Sequence, residues 1–155
     1  MSMSDVEQEI QTINITREIE IAAPIEIAFE AILEEVGSGG QMPDGKPFPM
    51  VIEQWPGGRW YRDLGNQSGH LWAHVQVIKP PTLLELCGPM FMSFPNANHL
   101  QYRLTADGDG TLLKFTHRAM GPIPDEFRTN VGKGWSYKLE RIEQIALRLK
   151  TERRK

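Results

Sequence analysis

Asn130-Val-Gly-Lys-Gly-Trp-Ser-Tyr-Lys-Leu-Glu-Arg-Ile-Glu-Gln-Ile-Ala-Leu-Arg-Leu-Lys150 is the stretch that decides the architecture. Within it Val131, Trp135, Leu139, Ile142, Ala146 and Leu149 recur at steps of four, four, three, four and three, which is one apolar face of a helix. Pro122 and Pro124 precede Asp125-Glu126, the acidic chemistry of a helix start, and the far end is rich in Arg and Lys. The pattern predicts an amphipathic helix of roughly six to seven turns at about 1.5 Å per residue. Gly132 and Gly134 cut against it, each costing about 1 kcal/mol relative to Ala.

Upstream, residues 50–118 read as short strands separated by turn chemistry. Met50 to Trp55 leads into Pro56-Gly57-Gly58, then Arg59 to Leu64 into Gly65-Asn66-Gln67-Ser68-Gly69. His70 to Ile78 stops at Pro80-Pro81, and Thr82 to Cys87 stops at Gly88-Pro89. His99 to Leu104 reaches Asp107-Gly108-Asp109-Gly110, and Thr111 to Arg118 closes the series. With no helix between them, these strands form an antiparallel meander. One more strand lies further upstream, where Ile13, Ile15, Ile19 and Ile21 share a parity opposite Asn14, Thr16, Glu18 and Glu20. Pro24 then opens a helix over 24–36, with Ile25, Phe29, Ile32, Leu33 and Val36 on one side and Glu26, Glu30 and Glu34 on the other. Gly37 ends it, and 37–49 is a loop rich in Gly and Pro.

A sheet with one apolar face must bury it, and only the C-terminal helix is long enough to cover it. The expected class is α+β, a curved seven-stranded antiparallel sheet wrapped round a long C-terminal helix. A sheet curved round one helix rarely closes completely, so a cavity between them is expected. The chain divides into a flexible N-terminal segment (1–11), a single domain (12–150) and a basic tail (151–155).

Length and composition agree with one domain: 155 residues, 40% hydrophobic, 24% charged and a single Cys. Cys87 has no partner for an internal disulfide, and the polar, acidic start does not read as a secretory leader, so a cytoplasmic setting is expected. No apolar run approaches the ~18 residues of a membrane helix. The net charge is −3 but uneven, with nine acids against Arg17 in residues 1–36. Arg148, Lys150, Arg153, Arg154 and Lys155 crowd the other end. That tail lacks the interleaved aromatics of single-strand binders and reads as a solvated helix end. Neither nucleic acid nor membrane is an expected partner, and a homodimer is left open.

Three stretches, in order, resemble the START-like or SRPBCC superfamily, to which the birch-pollen-allergen-like proteins belong. Arg17-Glu-Ile-Glu-Ile-Ala-Ala-Pro-Ile-Glu-Ile-Ala-Phe-Glu-Ala-Ile-Leu33 resembles its opening strand and helix. Pro56-Gly57-Gly58-Arg59-Trp60, with the strand ending Lys79-Pro80-Pro81, resembles its central hairpin. Gly134-Trp135-Ser136-Tyr137-Lys138-Leu139 resembles the last helix of the branch related to the activator of the heat-shock ATPase and to polyketide cyclases. The resemblance implies a helix-grip fold with a hydrophobic pocket, over roughly residues 15–150, and fixes no activity. The loop at 37–49 departs from it, leaving open the second short helix usual there.

Several patterns suggestive of chemistry fail on physical grounds. Gly40-Gln-Met-Pro-Asp-Gly45-Lys46 starts a phosphate loop, but Pro47 stands where Ser or Thr would hold magnesium, and a helix precedes it instead of a strand. His70 and His74 sit on a strand, where four residues span ~13 Å, too far for one ion. No metal site and no cofactor are expected. Cys87 ends the strand Leu83-Leu84-Glu85-Leu86 and reads as a small buried hydrophobe.

The aromatic and Met content points instead to an apolar pocket. Trp55, Trp60, Trp72, Tyr102 and Phe115 on strands, Met90, Met92 and Phe94 in a Pro-bounded segment and Trp135 on the last helix suit, as a group, a site for apolar molecules. Of these, Trp55, Trp60, Met90, Met92, Tyr102, Phe115 and Trp135, with Val131 and Leu139, are its expected lining. Ala73 and Val75, reading inward with Leu71, complete it. Parity brings His117 inward with Leu113 and Phe115, Tyr102 inward with Leu100 and Leu104, and Arg62 to the side of Trp60. His117, Tyr102 and Arg62 are therefore the candidates for proton transfer or carbonyl contact, His117 first because its unperturbed pKa is near 6.5. The expected function is non-enzymatic binding of a small hydrophobic or aromatic molecule. Two alternatives stand beside it: a cyclase or hydrolase in the same cavity, and a chaperone-interacting module.

Overall fold

The structure, a computed structural model, describes residues 8–154. Strand β1 (Gln11–Ile21) and helix α1 (Ile25–Val36) come first, then β2 (Val51–Ile52), β3 (Arg59–Gly65) and β4 (Ser68–Lys79). Strands β5 (Leu83–Gly88), β6 (Ala97–Asp107) and β7 (Gly110–Gly121) follow, and helix α2 (Asp125–Glu152) closes the chain. The seven strands make one antiparallel sheet in the order β1-β7-β6-β5-β4-β3-β2. This is the helix-grip fold, with seven strands and a long C-terminal helix as the sequence predicts.

The isoleucine parity of β1 works as read. Ile13 and Ile21 are buried and Ile15 and Ile19 half-buried, while their even-numbered neighbours are exposed. On β7 the inward set is Leu113, Phe115, His117 and Ala119; on β6 it is Asn98, Leu100, Tyr102 and Leu104. Helix α2 lays Trp135, Leu139, Ile142, Ile145 and Ala146 onto this face, and α1 closes one side with Ala28, Phe29, Ile32 and Val36.

Strands β4, β6 and β7 run a few residues past their expected ends, and three other boundaries differ in ways that matter more. The strand expected over 50–55 is only two residues long. Gly58 approaches the Glu53 carbonyl so closely that a Cβ would stand 2.0 Å from its oxygen, and Gly57 has φ +85°. Glu53 also takes both the backbone N–H (2.8 Å) and the guanidinium of Arg59. The chain therefore turns at 53–58, and Trp55 lies on the outside of that turn. At the N-terminus, Gln11 already pairs with Gly121, so the segment outside the sheet is shorter than 1–11; residues 1–7 lie outside the described residues. At the other end α2 has 28 residues and includes Thr151 and Glu152. The tail is thus partly helix, with Lys155 outside the described residues.

The charge asymmetry has an intramolecular destination. Arg148 reaches Glu34 (2.5 Å) and Arg153 reaches Glu30, both on the exposed side of α1, and Lys150 donates to the Ala22 carbonyl (2.8 Å). Exposed pairs of this kind contribute ~0–1 kcal/mol each, but they hold the last turns of α2 beside α1. No described helix is long and apolar enough to cross a membrane.

Candidate functional site

A bulge in β4 shapes the site. The register passes from Trp60↔Ala73 to Tyr61↔Leu71, leaving Trp72 without a partner on β3. Trp72 and Ala73 both turn inward as a result, while Leu71 is 43% exposed instead of pointing in. Trp72 then becomes a hub. Its ring stands 5.1 Å from Trp60, 5.9 Å from Phe48 and 5.2 Å from Phe91, and Phe91 stands 5.0 Å from Phe127. This chain of aromatics runs from the 37–49 loop across the sheet to the first turn of α2.

Beside it lies a cavity of ≈ 380 Å³ that opens to solvent between the loop, the 89–92 segment and the N-terminal half of α2. Met42 and Phe48 line it from the loop, Trp72 from the sheet, and Met90, Phe91 and Met92 from the segment. Met90 sits at φ 62°, a left-handed conformation costing of order 1–3 kcal/mol for a non-glycine, and is held there by its N–H on the Trp72 carbonyl (2.7 Å). From α2 come Phe127, Val131, Gly134, Trp135 and Lys138, one stripe of the helix. A Cβ placed on Gly134 would meet nothing within 4 Å. The glycine leaves part of the cavity empty that any side chain would occupy.

The loop that carries Met42 is tied down from α2. Tyr137 donates to the Met42 carbonyl (3.0 Å) and Arg141 to the Gly39 carbonyl (3.0 Å). It holds no second helix, only an isolated bridge between Gln41 and Pro47.

A second aromatic chain fills the interior of the grip. Tyr102 packs on Phe115 (5.0 Å), Phe115 on Trp135 (4.6 Å), and Trp135 edge-on to His117 (5.5 Å). The Trp135 indole N–H donates to His117 Nδ1 (2.9 Å), and His117 Nε2 meets Asn98 Oδ1 (2.7 Å). An indole nitrogen can only donate, so Nδ1 accepts and Nε2 carries the proton. Asn98 passes the chain on to Asn96 Oδ1 (2.9 Å). Burial holds the His117 pKa down at about 4, so the ring is neutral near pH 7. Burial likewise pushes the Tyr102 phenol well above its usual range.

The expected site residues therefore separate into three groups. Met90, Met92, Val131, Trp135 and His117 line the cavity. Trp60, Ala73, Val75, Tyr102, Phe115 and Leu139 are buried but lie in the packed interior, away from it. Trp55 is 56% exposed on its turn, and Arg62 lies behind the wall, stacked 4.2 Å from the Phe48 ring centre and donating to the Pro49 carbonyl. The displacement has a simple cause: large side chains close the middle of the grip, and the open space falls at its mouth. His117, Tyr102 and Arg62 do not converge on one point. Phe48, Met42 and Phe91 escaped the sequence reading because they lie in loops, whereas Phe127, four residues before Val131, continues the apolar stripe of the last helix and was legible there. Asn98 shares the parity of Leu100 and Tyr102, a signal that was available. Cys87 is exposed on the outer face, not buried, and His70 and His74 are exposed on β4.

No protein-family model and no curated protein matches the sequence. Solved structures share the fold. An uncharacterised protein from Rhizobium leguminosarum superposes with TM-score 0.68 at 17% identity, over 92% of this chain and 99% of its own. Ara h 8.0201 superposes with TM-score 0.65 at 17% identity, over 88% and 99%. The di-domain ARO/CYC protein StfQ of the steffimycin biosynthetic pathway gives TM-score 0.61 at 13% identity, over 92% of this chain and 51% of StfQ. At these identities the likeness is one of fold.

Proposed function

We propose that this protein is a binding domain of the SRPBCC type that holds a small hydrophobic or aromatic molecule at the mouth of its grip. One observation carries the reading: an open cavity of ≈ 380 Å³ walled by Trp72, Phe91, Phe127, Trp135 and three methionines. Apolar walls with few polar groups suit a ligand held mainly by burial, and methionines adapt to irregular shapes. Gly134 supports the same reading, since a helix interior gives up about 1 kcal/mol there to keep space free.

The test is a pair of variants with the neutral fluorescent probe N-phenyl-1-naphthylamine. Saturable binding to the wild type is expected, with about 2.7 kcal/mol of added stability when free probe reaches 100 times its dissociation constant. Gly134→Leu is expected to abolish binding while raising stability by roughly 0.5–1 kcal/mol through helix propensity. Unchanged binding in Gly134→Leu would remove the cavity from the argument. Ala73→Phe is no substitute. A Cβ on Gly88 would already stand 3.1 Å from that of Ala73, so the larger ring would break the packing.

A cyclase or hydrolase in the same cavity draws support from the fold shared with StfQ. Its difficulty is that His117 has both ring nitrogens engaged, leaving no free base at the wall. A chaperone-interacting role has its own observation in the row Val51–Tyr61–Leu71 across the outer face of β2, β3 and β4, where Val51 and Leu71 are exposed. Neither gathers as many residues in one place as the cavity does.

A further inference from the structure

Among the residues lining the cavity, Lys138 is the one with a permanent charge. It lies on the α2 stripe of Val131, Gly134 and Trp135, so its ammonium stands at the edge of an apolar wall. Its partner is Glu35, at the end of α1, with Nζ 3.2 Å from Oε1. Glu35 is 2% exposed, and it faces a second cation as well, Arg141. The Arg141 guanidinium gives one nitrogen to the Gly39 carbonyl, while its Nε is buried with no partner. One carboxylate thus serves two cations, and the junction carries a net positive charge against the cavity. Burial raises the Glu35 pKa, and the neighbouring Lys138 and Arg141 oppose that shift.

We infer that the natural ligand is an apolar molecule with an anionic end, a carboxylate or an ionised phenol, whose charged group is received by Lys138 while its body lies against the cavity wall formed by Trp72, Phe91 and Trp135. This rests on the cavity reading above and narrows it from apolar molecules in general to apolar anions. A charge-assisted hydrogen bond from an ammonium is worth more at an apolar wall than in water, and it fixes which end of the ligand enters first. Glu35 then competes with the ligand for Lys138, so that removing its charge frees the ammonium.

Two probes of one shape separate the terms: 2-naphthoate, an anion at pH 7.5, and 2-naphthamide, which is neutral. The wild type is expected to bind the naphthoate about tenfold more tightly. Lys138→Met, which keeps the methylene stem, is expected to bring the two affinities together, and Lys138→Arg to keep them apart. Glu35→Gln is expected to widen the ratio by a further several-fold, an effect in the opposite direction that does not depend on Lys138→Met remaining folded. Equal binding of both probes, with a ratio unmoved by Glu35→Gln, overturns the anion assignment and leaves the apolar cavity standing. Failure of both probes to bind overturns the cavity reading and this inference with it.

Discussion

Leu139→Ala is expected to destabilise the fold by about 2–5 kcal/mol, because Leu139 is 3% exposed and α2 has no freedom to collapse onto the space left behind. The helix is held at several places along its length. Trp135 is pinned to His117, Lys138 to Glu35, and Arg148 and Arg153 to α1. A cavity opened between them would stay open. Thr151→Ala is the control: the side chain is exposed, its hydroxyl returning only to the Leu147 carbonyl, and the change should stay within ~0.5 kcal/mol. Urea melts of the two variants check this, and equal midpoints would mean that the buried face of α2 had been assigned to the wrong residues.

The 3.6-residue period of α2 and the two-residue period of β1, β6 and β7 were readable because each element puts one uninterrupted face on the core. Where the reading failed, a local irregularity had replaced the period. Trp72 sits in a bulge, and a bulge turns two consecutive side chains to the same face, which no alternation rule anticipates. Trp55 reads as strand by composition, yet the close approach of Gly58 to Glu53 makes that segment a turn. The cavity was legible in kind and not in place. Apolar parity marked Tyr102, Phe115 and Trp60 as facing inward, and they do face inward; their own volume then fills the interior. What stays open is set by loop residues such as Met42 and Phe91 and by the missing side chain at Gly134, none of which periodicity ranks highly. The ion pairs between α1 and α2 follow the same logic: the sequence shows an acidic start and a basic end, and only the antiparallel approach of the helices shows that they meet.

Acidification from pH 7.5 to 5 is expected to cost the protein about 2 kcal/mol through His117 alone. The folded ring has its pKa lowered from 6.5 to about 4 by burial. The unfolded chain therefore takes up a proton near pH 6.5, while the native state refuses it until near pH 4. Stability from this group is complete above the unfolded value and falls as pH drops between the two. The geometry accounts for the refusal. A proton added at Nδ1 would set a second donor against the Trp135 indole N–H, and Nε2 is already committed to Asn98. Glu35 acts in the opposite direction, since a raised carboxylate pKa favours the folded state as pH falls, so the wild-type slope understates the His117 contribution. Glu53, held down to about 2 by its hydrogen bonds from Arg59, changes only below this window. His117→Gln separates the terms. Glutamine offers one acceptor and one donor but no proton to titrate, so the variant should start less stable at pH 7.5 and lose about 2 kcal/mol less on the way to pH 5. Urea unfolding at both pH values reads this difference directly. Parallel slopes would mean that His117 titrates normally in the folded state, and with it would go the argument that both ring nitrogens are occupied.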